Sequence, residues 1–279
     1  MTWKLAWLLM VGLALSGCGR GLTDQEEYAQ SVGDAMSSLD EASGSPGGSF
    51  TLREPRPLKG GGFSLLTEAH AASCVLNSFS SCSAGAKTRT FGGCTLGLGR
   101  TTLEGTVSLS FSQVGCTMGA TSDTVTRTAD FTLTGRRGAT LTVSSPGGGQ
   151  TVTRTATGFT YTVGGMKRVL RDSSGETLAD IETRTLSAIT LTGSTRATRV
   201  MDGGELEIKN LTRSTTLVLS PSQVTWSAAC NCAVSGVFSG TTSGDQEKEF
   251  TLTLTGCGTA TVESGGRSED VTLDRCAGA

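Results

Sequence analysis

The chain has 279 residues with a formal net charge of −2, and 17% of it is charged. That length suits one large β domain or two small ones; the charge offers no basic patch for nucleic acid and too little acid for a disordered chain. Threonine (44), serine (32) and glycine (39) dominate and proline is scarce at 5, a composition of strands joined by many tight turns.

At the amino terminus Lys4 precedes an uncharged, mostly aliphatic run from Leu5 to Leu15. As a helix this run is about 16 Å long, too short for a bilayer core of about 30 Å. One charge, a short apolar stretch and small residues at its end make the pattern of an export signal. Leu15-Ser16-Gly17-Cys18 then completes it. This segment resembles the lipobox of bacterial lipoproteins: an aliphatic residue, two small ones, then the cysteine that carries lipid. The resemblance implies that residues 1–17 are a removable signal peptide and that the Cys18 thiol receives diacylglycerol (palmitate-type acyl chains). The membrane is then the first partner, because two or three acyl chains at about 0.8 kcal/mol per buried methylene hold a protein firmly. Gly19 stands where aspartate, in that class, favours the inner membrane, so the resemblance points to the outer one. The competing reading is an ordinary secretory signal with an incidental cysteine.

Residues 18–49 read as the lipidated cysteine, a short helix over 22–42 and a flexible linker. Thr23-Asp24-Gln25-Glu26 has the form of a capping box, and Tyr28, Val32, Ala35, Met36 and Leu39 recur at helical spacing. Ser43-Gly-Ser-Pro-Gly-Gly-Ser49 is linker-like in composition. Residues 50–86 are irregular, with Pro55 and Pro57 against regular structure, and carry the first cysteines.

From about residue 87 to residue 279 the hydrophobic period becomes two. In Thr124–Thr134, Val125, Arg127, Ala129, Phe131 and Leu133 share one face and threonines fill the other, the alternation of a half-buried strand. The pattern recurs at 139–143, 151–163, 183–192, 205–211, 215–219, 224–228 and 250–255, separated by turn signals at Gly135, Pro146–Gly149, Gly164-Gly165, Ser174-Gly175 and Asp202–Gly204. A shift of the apolar side within 151–163 predicts a bulge near Gly158. No helical run intervenes, so the expected fold is all-β: an antiparallel meander of roughly ten to fourteen short, Thr-rich strands, closed as a barrel or folded as a sandwich. After the signal one tryptophan remains, Trp226, too few aromatics for the girdles of a membrane-spanning barrel.

With Cys18 assigned to lipid, eight cysteines remain: Cys74, Cys82, Cys94 and Cys116, then Cys230, Cys232, Cys257 and Cys276. In an exported chain an even set reads as disulfides. The two groups predict pairing within each, with three connectivities open for each. Cys230-Asn231-Cys232 places two cysteines on one side of a strand, which suits separate partners better than one internal bridge. Leu103–Thr117 and Phe250–Thr259 are both alternating strands ending in Gly-Cys, a faint internal echo.

Motifs of catalysis are sparse. There is no Gly-x-Ser-x-Gly, His-Glu-x-x-His or Walker loop. A Ser/His/Asp triad could use only the single histidine, His70, which reads as a surface or capping residue rather than a catalytic one. Asp172, Glu176, Asp180 and Glu182 cluster around an expected turn without the pattern of a glycosidase pair. Asn210-Leu-Thr212 has the form of a glycosylation sequon with no role expected in a bacterial protein. No metal or cofactor is implied. Thr-Arg-Thr recurs at 88–90, 126–128, 153–155 and 183–185. Arg127 and Arg154 lie among apolar neighbours. They either reach from the core edge to water or line a pocket for an anionic ligand. The Thr-x-Thr rows are similar to the surface of β-solenoid antifreeze proteins but lack their fixed repeat, so solvated β surface is the plainer reading. Three functions follow in order: a non-catalytic envelope component binding a protein, glycan or small molecule; a carrier or sensor of a small anionic or amphiphilic ligand; and a hydrolase.

Overall fold

The structure, a computed structural model, describes residues 79–96, 101–193, 196–227, 229–230, 233–244 and 247–273. The signal segment, Cys18, the helix expected over 22–42, the linker, His70, Cys74, Cys232 and Cys276 lie outside the described residues.

The described chain is all-β, as its period-two pattern predicts. Fourteen strands form one antiparallel sheet: β1 (Ala86–Leu96), β2 (Thr101–Phe111), β3 (Thr124–Thr134), β4 (Thr140–Arg154), β5 (Gly158–Arg171), β6 (Thr177–Ser187), β7 (Ile189–Thr192), β8 (Val200–Asp202), β9 (Glu205–Asn210), β10 (Thr215–Trp226), β11 (Ala233–Ser243), β12 (Lys248–Gly256), β13 (Thr259–Ser264) and β14 (Arg267–Thr272). One turn of 3-10 helix, Arg196–Thr198, links β7 to β8.

Strand order follows chain order, with one complication in the middle. β5 pairs with β6 along one half and β7 along the other, and β10 likewise pairs with β9 and then β8. The registers explain this partial ring. Leu219 faces Leu206 and Val224 faces Met201, so β8 and β9 keep one register along β10 and act as a single strand interrupted at Gly203-Gly204. Similarly Met166 faces Thr183 and Tyr161 faces Ile189, so β6 and β7 are one strand with a one-residue bulge. The ring is a window in a continuous meander. Among the described residues β1 and β14 end the path and do not pair with each other.

Inward residues of every long strand but β6, whose Ile181 packs against it half-buried, join one apolar cluster that runs from Phe91 in β1 to Val271 in β14, with Leu103, Tyr161, Ile189, Phe238, Leu252 and Val262 fully buried. A sheet face this wide leaves water only by coiling or folding over on itself. The other face carries threonine, serine and charge.

Three local expectations change. First, β1 to β6 run 11 to 15 residues, longer than the short strands expected. Pro146–Gly149 is no turn: β4 passes through it, Ser144 facing Lys167 and Gly149 facing Gly165. The extra residues form an exposed bulge, where a proline without an N–H does no harm. Gly147 and Gly164 permit it, because a Cβ on Gly147 would lie 2.1 Å from the Gly164 carbonyl oxygen. Second, the feature near Gly158 is a hairpin turn, closed by Thr155 N–H to Gly158 O (2.8 Å) and Gly158 N–H to Thr155 Oγ1 (3.0 Å). Third, 215–219 and 224–228 are not separate strands, since β10 continues through Pro221. Its missing N–H falls where Gly203-Gly204 breaks the neighbouring strand, and Pro221 O accepts from Gly203 N–H at 2.9 Å.

Candidate functional site

Disulfides hold two hairpins by their open ends. Cys82 pairs with Cys116 around β1–β2, and Cys230 with Cys257 around β11–β12. Both pairs lie within the expected groups, and Cys230 bonds Cys257 rather than its neighbour Cys232. Such bridges point to an oxidising, extracytoplasmic compartment. Cys94 lies in β1. The Gly-Cys echo has a structural counterpart, because Cys116 and Cys257 each follow the second strand of a clasped hairpin.

The loop after β2 is organised by Asp123, a buried carboxylate. It accepts from Gln113 Nε2 (2.6 Å), Gly119 N–H (2.8 Å) and Ala120 N–H (2.7 Å). The Ala120 amide first, then Gln113, hold its pKa below the ordinary aspartate range, with the nearby charge of Arg154 helping. Arg154 Nη1 donates to Met118 O at 3.2 Å in the same loop, and its guanidinium lies 6.0 Å from the Phe159 ring centre.

The four Thr-Arg-Thr copies meet four different fates. Arg184 points outward and pairs with Glu207 at 2.6 Å, beside Lys209 at 3.2 Å. Burial opposes charge on Glu207, but hydrogen bonds from Arg184 and Lys209 keep its pKa below the usual carboxylate value. Arg154 serves the Asp123 loop. Arg127 is buried on the inner face and donates to Gln150 Oε1 at 3.1 Å. Arg89 is buried too, with its guanidinium 5.0 Å from the Phe91 ring centre.

The structure therefore does not bring Arg127 and Arg154 together. Arg127 faces Gln150, four residues up β4 from Arg154, a separation of about 14 Å at strand rise. Instead, Arg127 shares a face with Arg89: Arg89 opposes Val107, Val107 opposes Ala129, and Arg127 lies two residues from Ala129 on β3. Nothing in the Thr-Arg-Thr motif at 88–90 distinguished Arg89 from the other copies. Strand parity placed it inward, and the sheet order set it on the same face as Arg127, two strands away.

The clustered carboxylates are structural in this setting. Asp172 accepts from Ser174 N–H (2.8 Å), Ser174 Oγ (2.7 Å) and Glu176 N–H (2.9 Å) and so shapes the β5–β6 turn. Asp180 and Glu182 flank Lys167 at 3.2 and 3.4 Å, and the Asp180 hydrogen bond chiefly raises the Lys167 pKa. Among the described residues no group of three or more His, Cys, Asp or Glu side chains is placed to hold a metal ion. No described helix is long and apolar enough to cross a membrane. No family model, curated protein or solved structure matches the chain.

Proposed function

We propose that this protein is a lipid-anchored component of the bacterial cell envelope that works by binding a partner rather than by catalysis. The observation that carries the reading is the outer face of the sheet. Ser110, Thr126, Thr151 and Thr162 form one row across β2 to β5, and Thr124, Thr153, Thr160 and Thr190 a second across β3, β4, β5 and β7. These side chains are half-buried or exposed; Thr126 and Thr151 bond at 2.9 Å within the first row, and Thr132 and Thr142 bond at 3.2 Å elsewhere on β3 and β4. Tethered hydroxyls of this kind form a stiff polar surface with little side-chain entropy left to lose on binding. The lipobox-like segment supports the anchor, and the two disulfides agree with an extracytoplasmic site of action.

Two measurements test this. The full chain, purified with its anchor, is screened on glycan and protein arrays; reproducible binding weakened by Thr126→Lys or Thr153→Lys supports the proposal, and uniformly negative arrays oppose it. In cells, Cys18→Ala stays uncleaved and carries no lipid. If that variant matures and fractionates like the parent, the anchor assignment falls.

A further inference from the structure

We infer that the end of the sheet carrying both described disulfides is a docking surface for the bilayer that holds the lipid anchor, with Val114 as its apolar tip. This rests on the anchor proposed above and goes beyond it by giving the protein one orientation at the membrane.

Successive connections of an antiparallel meander fall at alternate ends, and here the two ends differ in charge. The β3–β4, β5–β6, β9–β10 and β11–β12 connections share one end, and Arg136, Arg137, Asp172, Glu176, Arg213 and Glu247 lie in them. The opposite end holds the segment before β1 and the β2–β3, β4–β5, β7–β8, β10–β11 and β12–β13 connections. Cys82–Cys116 and Cys230–Cys257 both lie there. Asp123 is the one acid among the described residues of these segments. It is 4% exposed and saturated by its own loop. Lys87 and Arg154 stand on strand ends beside it. An anionic lipid surface would therefore meet cations here and no exposed carboxylate of the described loops.

Val114, in the β2–β3 loop, projects from this end. It is 75% exposed, against 43 to 46% for the other exposed large aliphatic side chains among the described residues. Its loop is nonetheless fixed. Gly85 N–H donates to Val114 O at 3.0 Å, and Cys116 is bonded to Cys82. Asp123 ties down Gly119 and Ala120, and Arg154 holds Met118 O. Ala84, Cys116 and Ser122 keep φ values of +48°, +54° and +74° in this corner, conformations that the surrounding structure must impose. The β4–β5 turn is joined to it, because Ser122 N–H donates to Arg154 O at 2.8 Å. Ala84, Ala120 and Ala156 in these segments are exposed too. An apolar tip on a loop set in advance loses little entropy on entering the headgroup–acyl boundary. The tether also arrives here, since the described chain begins at Phe79, just before β1, and residues 19–78 connect it in sequence to Cys18. Once acyl chains hold the protein at the surface, contact by this end is intramolecular, so a small apolar tip suffices. With this end down, the threonine face stands off the membrane, open to a partner.

The test places the full chain, matured with its lipid, in vesicles of phosphatidylethanolamine and phosphatidylglycerol. Co-flotation with the vesicles is read first, then quenching of tryptophan emission by lipids brominated on their acyl chains. Trp226, 4% exposed, supplies the background. Val114→Trp should be quenched about threefold more strongly than Ser173→Trp at the charged end, because an inserted tip reaches the headgroup–acyl boundary. On vesicles, the amides of residues 112–122 should exchange more slowly in the parent than in Val114→Asp, while those of 172–176 exchange alike. Both sites are exposed, so the variants should keep the parental thermal midpoint. A parent that does not float overturns the anchor and this proposal together. A parent that floats, with Val114→Trp quenched no more than Ser173→Trp, overturns this proposal alone. Quenching of Val114→Trp with equal exchange in the parent and Val114→Asp reports only the affinity of the new tryptophan for lipid and overturns it as well.

Discussion

Phe91 and Phe131 meet edge to face, with ring centroids 6.2 Å apart, although a whole strand lies between them. The residue between is Gly105, which opposes Phe91 on one side and Phe131 on the other. Two strand spacings are about 9.6 Å, so the rings lean together over the gap that the missing side chain leaves. A Cβ at Gly105 would sit 2.3 Å from Asp130 O and 2.5 Å from Phe131 Cα, at a φ of +123°.

Gly105→Ala should therefore destabilise the fold by more than about 1 kcal/mol, because it combines a strained backbone with a clash. Gly92 meets nothing within 4 Å of its built Cβ and has no positive φ, so Gly92→Ala should stay within about 0.5 kcal/mol of the parent. Urea unfolding of the two variants side by side checks the contrast; equal effects would refute the steric account.

The two disulfides among the described residues close loops of 34 and 27 residues in sequence separation. In the chain-entropy account each contributes about 3.5–4 kcal/mol. Paired replacement of Cys82 and Cys116 by serine, or of Cys230 and Cys257, should cost about 2–5 kcal/mol. Peptide mapping without reductant should recover Cys82–Cys116 and Cys230–Cys257. A crossed pair between the groups would contradict the assignment.

Phe238 and Leu252 are fully buried and Val114 is 75% exposed. Phe238→Ala should cost about 3–5 kcal/mol and Leu252→Ala about 2–5, against about 0.5 or less for Val114→Ala. Denaturant midpoints measured at unchanged m-value read this directly.

Asp123 gives a pH dependence of known sign. Its folded-state pKa is depressed by the Ala120 and Gln113 hydrogen bonds. Its contribution to stability is thus complete above the ordinary aspartate value and fades as pH falls through the lower folded value. Asp123→Asn should lower the unfolding midpoint near neutrality and flatten its decline in acid. If the variant and the parent lose stability in parallel below pH 4, Asp123 is not a source of the acid sensitivity.

How far the residues alone reached depends on what local chemistry specifies. β3 spans Thr124–Thr134, the limits that alternation drew, because period-two burial is written directly in side-chain polarity. The turns were less legible. Pro146–Gly149 carries the chemistry of a reversal yet stays within β4, while Gly158, read as a bulge, closes a hairpin. Glycine permits either geometry, and whether the chain turns or kinks is decided by which strand lies alongside.

The same division holds for the candidate sites. Alternation, cysteine grouping and abundant threonine determined an all-β meander, two disulfide-bearing regions and a polar outer face, since each rests on residue type and period. Four identical Thr-Arg-Thr segments could not declare their separate roles. Arg184 faces a carboxylate, Arg154 a loop carbonyl, Arg127 a glutamine, and the Arg89 Nε and Nη2 no acceptor. Those partners come from other strands and loops, and only tertiary register brings them within reach. Burial, which makes an ordinary arginine a costly one, is a property of the assembled sheet.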